Sequence, residues 1–231
     1  MKKIITTLLL AASAISLAGA KSRNSSMAVI AHGTIGYNLG TSFDSDKASA
    51  NGNFGGNMLF GGGLGFNYGI PALSGLGVQA EVNYKLNSVS TKSEASSVVS
   101  NTTTVKTYSY SSIDVPLLAT LSIGNFQLLA GPYISFPVSD LSWKSKSTTT
   151  AGSTTSSKDS DGTISAIDSP IFGLTFGGSW TKDLGAVNGF IGVRYSLDFS
   201  PVSYTNKDLD ATTKYFTRRG LDIDAGIKFY L

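Results

Sequence analysis

Hydrophobic residues recur at every second position over most of this chain, its last thirteen residues included. In 219–231, Leu221, Ile223, Ala225, Ile227, Phe229 and Leu231 share one face, while Gly220, Asp222, Asp224, Gly226, Lys228 and Tyr230 share the other. A period of two means a β-strand, apolar on one side and charged on the other. In water such a strand at the end of a chain would be an exposed, aggregation-prone edge. Closure into a barrel removes the edge.

Seven earlier segments alternate in the same way, at about 27–39, 56–70, 76–87, 108–123, 126–138, 170–182 and 191–199. The third is the cleanest: Leu76, Val78, Ala80, Val82, Tyr84 and Leu86 oppose Gln79, Glu81, Asn83 and Lys85. The connections alternate between long Ser/Thr-rich stretches, expected to be loops, and short turns such as Gly124-Asn125. This predicts an all-β fold, an eight-stranded antiparallel up-and-down transmembrane β-barrel. Two irregularities are expected in the fourth segment. Tyr108 and Tyr110 sit out of phase, which suggests a bulge near Ser111-Ser112. Pro116 removes one ladder hydrogen bond.

Alternation alone does not say which face is outside, because a soluble barrel would turn its apolar residues inward. Aromatic placement decides for lipid. Tyr37, Tyr84, Phe136, Phe172, Tyr195 and Phe199 fall at the long-loop ends of the apolar stripes, and Phe66, Tyr68, Phe126, Trp180 and Phe229 at the short-turn ends. Two belts at two heights match the girdles of a membrane interface, with Tyr37, Tyr84, Phe136, Trp180, Tyr195 and Phe199 as the girdle set. The apolar stripes also carry no charge, whereas a Lys or Arg facing lipid at mid-depth would cost roughly 2–4 kcal/mol.

Composition adds an export route. Lys2 and Lys3 precede an apolar run from Ile4 to Leu17, and Ala18-Gly19-Ala20 reads as a cleavage site. The expected organisation is a signal peptide at 1–20, cleaved after Ala20, and a barrel domain at 21–231 in the cell outer membrane. Without Lys2 and Lys3, 16 basic residues face 15 acidic ones, a formal charge of +1. No basic stripe remains for nucleic acid. The chain has no cysteine, so disulfides and thiolate metal sites are excluded.

The candidate chemistry lies on the polar face. Arg194 is expected to meet Glu81 and one of Asp222 and Asp224 in a lumen ion-pair network, with Lys228 lower down, since buried charges must be paired. His32 is the only histidine. It lacks companions for a metal site and a placed nucleophile for catalysis, so no metal, cofactor or catalytic residue is assigned. It is expected near Asp224. Gly61-Gly62-Gly63-Leu64-Gly65 lacks the following helix of a nucleotide motif and is read as making room for long side chains opposite or bending the strand. Trp143 and Phe43 are isolated aromatics in expected loops and are candidate contact residues.

Asp224-x-Gly226-x-x-Phe229-x-Leu231 resembles the carboxy-terminal signal that outer-membrane proteins present to the barrel assembly machinery, with Leu231 where an aromatic is commonest. Ser112-Ile-Asp-Val-Pro-Leu-Leu118, Leu129-Ala-Gly-Pro-Tyr133 and Val193-Arg-Tyr-Ser196 look like the porin-family, or PorT-like, outer-membrane barrels, relatives in architecture of the OmpA and OmpX membrane domains. The resemblance implies Gly226, Phe229 and Leu231 as the assembly signal. It implies location and fold, with little uniform activity. An eight-stranded interior is just wide enough to be filled by side chains. The expectation is therefore a monomeric, non-enzymatic structural or surface-interaction barrel. Its partners are outer-membrane lipids, the assembly machinery and an extracellular ligand held by the loops. A narrow gated channel and a lipid-modifying enzyme are the alternatives.

Overall fold

The computed structural model describes residues 27–42, 52–164, 170–206 and 211–231. The expected signal peptide and Phe43 lie outside them. The described residues form eleven strands: β1 (Met27–Ser42), β2 (Gly52–Gly69), β3 (Leu76–Ser96), β4 (Asn101–Ile123), β5 (Phe126–Pro137), β6 (Leu141–Ala151), β7 (Thr154–Ile164), β8 (Ile171–Asp183), β9 (Asn188–Asp198), β10 (Val202–Asn206) and β11 (Ala211–Tyr230). Eight of them close a ring in the order β3-β2-β1-β11-β9-β8-β5-β4, sealed by β3 against β4. All ring pairings are antiparallel. The seam joins the first strand to the last, with His32 opposite Gly226.

The polar stripes turn inward and the apolar stripes outward. Glu81, Asp222 and Asp224 are each 2% exposed, whereas Val82, Leu117 and Leu128 are more than half exposed. That is the inverse of a water-soluble core and suits hydrocarbon outside. One end has short turns. Gly124 (φ 60°) and Gly75 (φ 81°) take the left-handed conformation there, which glycine adopts without steric cost.

The other end departs from the sequence expectation. In the stretches expected as loops, 88–106 and 140–169, the described residues are largely strand. β3 and β4 stay paired out to Ser96 opposite Asn101. The β6–β7 hairpin then adds to the upper half of β4, with Tyr108 opposite Trp143. A four-stranded sheet, β3-β4-β6-β7, so extends beyond the ring. The sequence hides it because Ser and Thr occupy both faces and leave no alternation to read. Threonine is nonetheless a good strand former.

The bulge expected near Ser111-Ser112 is not there. The β3–β4 register runs unbroken through Leu86–Ser111 and Lys85–Ser112. Tyr110 instead shares the inward parity of Ser112 and Asp114 and is buried. It belongs to an apolar cluster with Val89, Leu141, Ile171, Val202 and Phe216 that caps the lumen at the long-hairpin end. The inward face thus changes from polar to apolar at this height. Pro116 does interrupt its ladder: the β3–β4 pairing passes from Ala80–Leu117 to Asn83–Asp114.

Candidate functional site

The lumen below the cap is a stack of charged layers. In the central layer Arg194 of β9 reaches across to β3. Its Nη1 donates to Glu81 Oε2 at 2.6 Å and its Nη2 to Oε1 at 2.8 Å. Its Nε lies 2.8 Å from Asp224 Oδ2 on β11. The two-pronged guanidinium–carboxylate contact fixes geometry as well as charge. Glu81 is held further by Asn83 Nδ2 at 2.9 Å and by the amide of Gln79. Asp224 accepts from Thr34 Oγ1 at 2.6 Å. His32 sits between the two carboxylates, with Nε2 3.0 Å from Asn83 Oδ1 and Nδ1 3.5 Å from Asp224 Oδ1.

Asp222 lies opposite Arg194 in the ladder but turns to a different cation. Lys85 Nζ donates to Asp222 Oδ2 at 2.8 Å and stands 3.6 Å from Asp114 Oδ2. Above it, Arg218 spans Asp198 and Asn87, with Nε 2.8 Å from Asp198 Oδ2 and Nη1 2.6 Å from Asn87 Oδ1. Tyr133 donates its hydroxyl to Asp198. The Tyr110 ring lies over the Arg218 guanidinium, 5.5 Å away, and joins this layer to the apolar cap.

Of the five residues expected in one network, the structure brings Glu81, Arg194 and Asp224 together. Asp222 belongs to the Lys85 layer. Lys228 corrects the expectation: it joins no ion pair among the described residues. It lies one layer lower on β11, where its Nζ donates to the neutral Gln127 Oε1 at 2.6 Å. Lys85, Asp114, Asp198, Arg218 and Tyr133 complete the stack. Lys85, Asp114 and Asp198 were legible as lumen-facing charges. Arg218 was not, because the last strand was expected to begin at Arg219.

Glycines make the stack fit. A Cβ on Gly63 would lie 1.8 Å from Asn83 Oδ1, and one on Gly36 2.4 Å from Asp222 Oδ1. Free space between the layers is correspondingly small: cavities of about 20 Å³ beside Arg194 and about 10 Å³ beside Arg218. Each has room for about one water. A larger vestibule of about 430 Å³ opens at the short-turn end.

The girdle residues lie on the outward face, with Tyr37, Tyr84, Phe136, Trp180 and Phe199 exposed. Phe126 stands beside Trp180 in the β5–β8 ladder. Gly226 and Phe229 lie near the end of β11, where Phe229 pairs with Val29, and just past it the Leu231 amide donates to the Met27 carbonyl. Trp143 lies in a strand, its indole over Gly162 and Lys106 Nζ 4.4 Å from its ring centre. Among the described residues no group of three or more His, Cys, Asp or Glu could hold a metal ion.

Residues 22–203 match a family model described as an outer membrane protein beta-barrel domain. No curated protein matches the chain. Among solved structures it is similar to Neisserial surface protein A, at 13% identity over 90% of this chain and 98% of that one, TM-score 0.38. It is similar to Ail, the attachment invasion locus protein of Yersinia pestis, at 10% over 89% and 99%, TM-score 0.36. It is also similar to OprG from Pseudomonas aeruginosa, at 9% over 90% and 97%, TM-score 0.38.

Proposed function

Because this chain belongs to the outer membrane protein β-barrel domain family, we propose that it is a non-conducting, non-enzymatic outer-membrane barrel that serves as a rigid base for a surface-interaction sheet. The filled lumen carries this reading. Its charged layers leave cavities of only about 20 and 10 Å³, and an apolar cluster caps them. A solute pore needs a continuous wet path, and several buried ion pairs would have to break to open one. In transmembrane barrels the short turns face the periplasm and the long connections face outward. The β3-β4-β6-β7 sheet then stands outside the cell, polar on both faces and built to meet a partner rather than to bury a core. Export through a signal peptide cleaved after Ala20 and assembly through Gly226, Phe229 and Leu231 belong to the same proposal.

Planar-bilayer recording and cell-surface binding test it together. The purified barrel is expected to give no conductance steps, and cells displaying it to bind host-type surfaces. Removal of 142–163 should abolish that binding while the barrel still inserts. Stable conductance, or binding unchanged after the removal, overturns the reading. Sequencing the mature amino terminus tests the cleavage site.

A further inference from the structure

Lys228 is the exception among the lumen cations. Arg194, Lys85 and Arg218 each meet a carboxylate, at 2.6, 2.8 and 2.8 Å. Lys228 is 5% exposed, and its hydrogen bond goes to a neutral carboxamide. Among the described residues it has no carboxylate within salt-bridge distance. An ammonium buried without an anion is costly. Gln127 orients it but brings no charge.

The place matters as much as the charge. Lys228 and Gln127 both line the vestibule of about 430 Å³, the one sizeable cavity among those described. Asn67, Thr120 and Asn188 add polar groups to its wall, and Asp183, the carboxylate on it, accepts from the Gly185 amide at 2.8 Å. Asn188 stands directly opposite Lys228 in the β9–β11 ladder. Its buried Oδ1 has no hydrogen-bond partner among the described residues. A buried acceptor without a donor is as costly as a buried donor without an acceptor. The pair therefore asks for one group that supplies a negative oxygen to Lys228 and an O–H to Asn188. A carboxylate has no proton to give, and neither does a phosphodiester linkage. A protonated phosphate has both.

We propose that this vestibule is a phosphate-binding site on the periplasmic side, with Lys228 as the charge partner, Asn188 as the acceptor and Gln127 as the residue that positions Lys228. The ligand is inorganic phosphate or a terminal phosphomonoester, free or on a lipid headgroup. The site lies at the opposite end of the barrel from the surface sheet and does not depend on its role.

The test is isothermal titration of the full mature barrel in a maltoside detergent with three probes: inorganic phosphate, acetate and dihexanoyl phosphatidic acid. Phosphate is expected to saturate one site, with acetate at least about ten-fold weaker because it cannot donate to Asn188. Tighter binding of the phosphatidic acid than of phosphate assigns a lipid source, and equal binding assigns the free ion. Lys228→Met should weaken phosphate at least about ten-fold, while Lys228→Arg stays within about three-fold. Heat-modifiable migration shows that each variant has closed its barrel. No saturable phosphate binding to the unaltered protein overturns the proposal, whatever the variants do. Acetate as tight as phosphate, or Lys228→Met as tight as the parent, overturns it too.

Discussion

At the scale of single residues, the lumen is a problem of pairing and of room. Arg194 neutralises two carboxylates, Glu81 and Asp224, whereas Glu81 has Arg194 and the amides of Gln79 and Asn83 around it. Removing the arginine leaves two buried anions with His32 and neutral donors alone; removing the glutamate charge leaves Arg194 paired with Asp224. Arg194→Met should therefore destabilise by about 3–5 kcal/mol, and Glu81→Gln by clearly less. Urea unfolding of the barrel in lipid vesicles measures both, and the reverse order would refute this account of the layer. Room is tested by two glycines of the same sheet. A Cβ on Gly63 meets the Asn83 side chain, while one on Gly33 meets nothing within 4 Å. Gly63→Ala should cost about 1–3 kcal/mol through overpacking. Gly33→Ala, pointing into lipid, should be neutral or stabilising in the same assay. Much of this was legible: parity alone put Glu81, Arg194, Asp222 and Asp224 in one lumen. The choice of partner was not, because it depends on which way a long side chain leans. Asp222 is the direct neighbour of Arg194 in the ladder and still pairs with Lys85.

At the scale of elements, strands that separate two different media were readable and strands with water on both sides were not. Hydrocarbon on one face and a polar lumen on the other force strict alternation, so β1, β5, β8 and β9 could be seen in the sequence. Nothing imposes that contrast on the outer halves of β3 and β4, or on β6 and β7, once they leave the ring. The same contrast explains the misread tyrosines. Tyr108 and Tyr110 keep the inward parity, but at their height the interior is an apolar cap, so the phase error expected of a bulge never existed. The outer sheet should accordingly be separable from the ring. Leu141 lies directly opposite Ile164 at the base of the β6–β7 hairpin. Replacing 142–163 with an Asn-Gly turn joins them across a two-residue connection that favours hairpins. The shortened chain is expected to keep heat-modifiable migration and the urea midpoint of the parent. A barrel that no longer closes would show instead that β6 holds β4 in place.

At the scale of the whole molecule, one physical condition orders everything else: which medium touches the apolar stripes. Leu117 lies on β4 about midway between Ile113, which pairs with Phe136, and Ile123, which pairs with Phe126, and is 55% exposed. If hydrocarbon surrounds it, Leu117→Arg must carry a guanidinium into the bilayer midplane, at about 2–4 kcal/mol. Ser157 lies on β7, beyond the ring and exposed, so Ser157→Arg should change stability by no more than about 0.5 kcal/mol. In water the ranking would differ, since an arginine replacing an exposed leucine meets the solvent it prefers. Reversible urea unfolding from vesicles, run on both variants, separates the two media. Equal effects at the two positions, or a folded monomer in buffer without detergent, would place water against the stripes. The same outcome would remove the reason for a charged interior, because a soluble barrel has no need to hide Arg194, Lys85 and Arg218 from its surroundings.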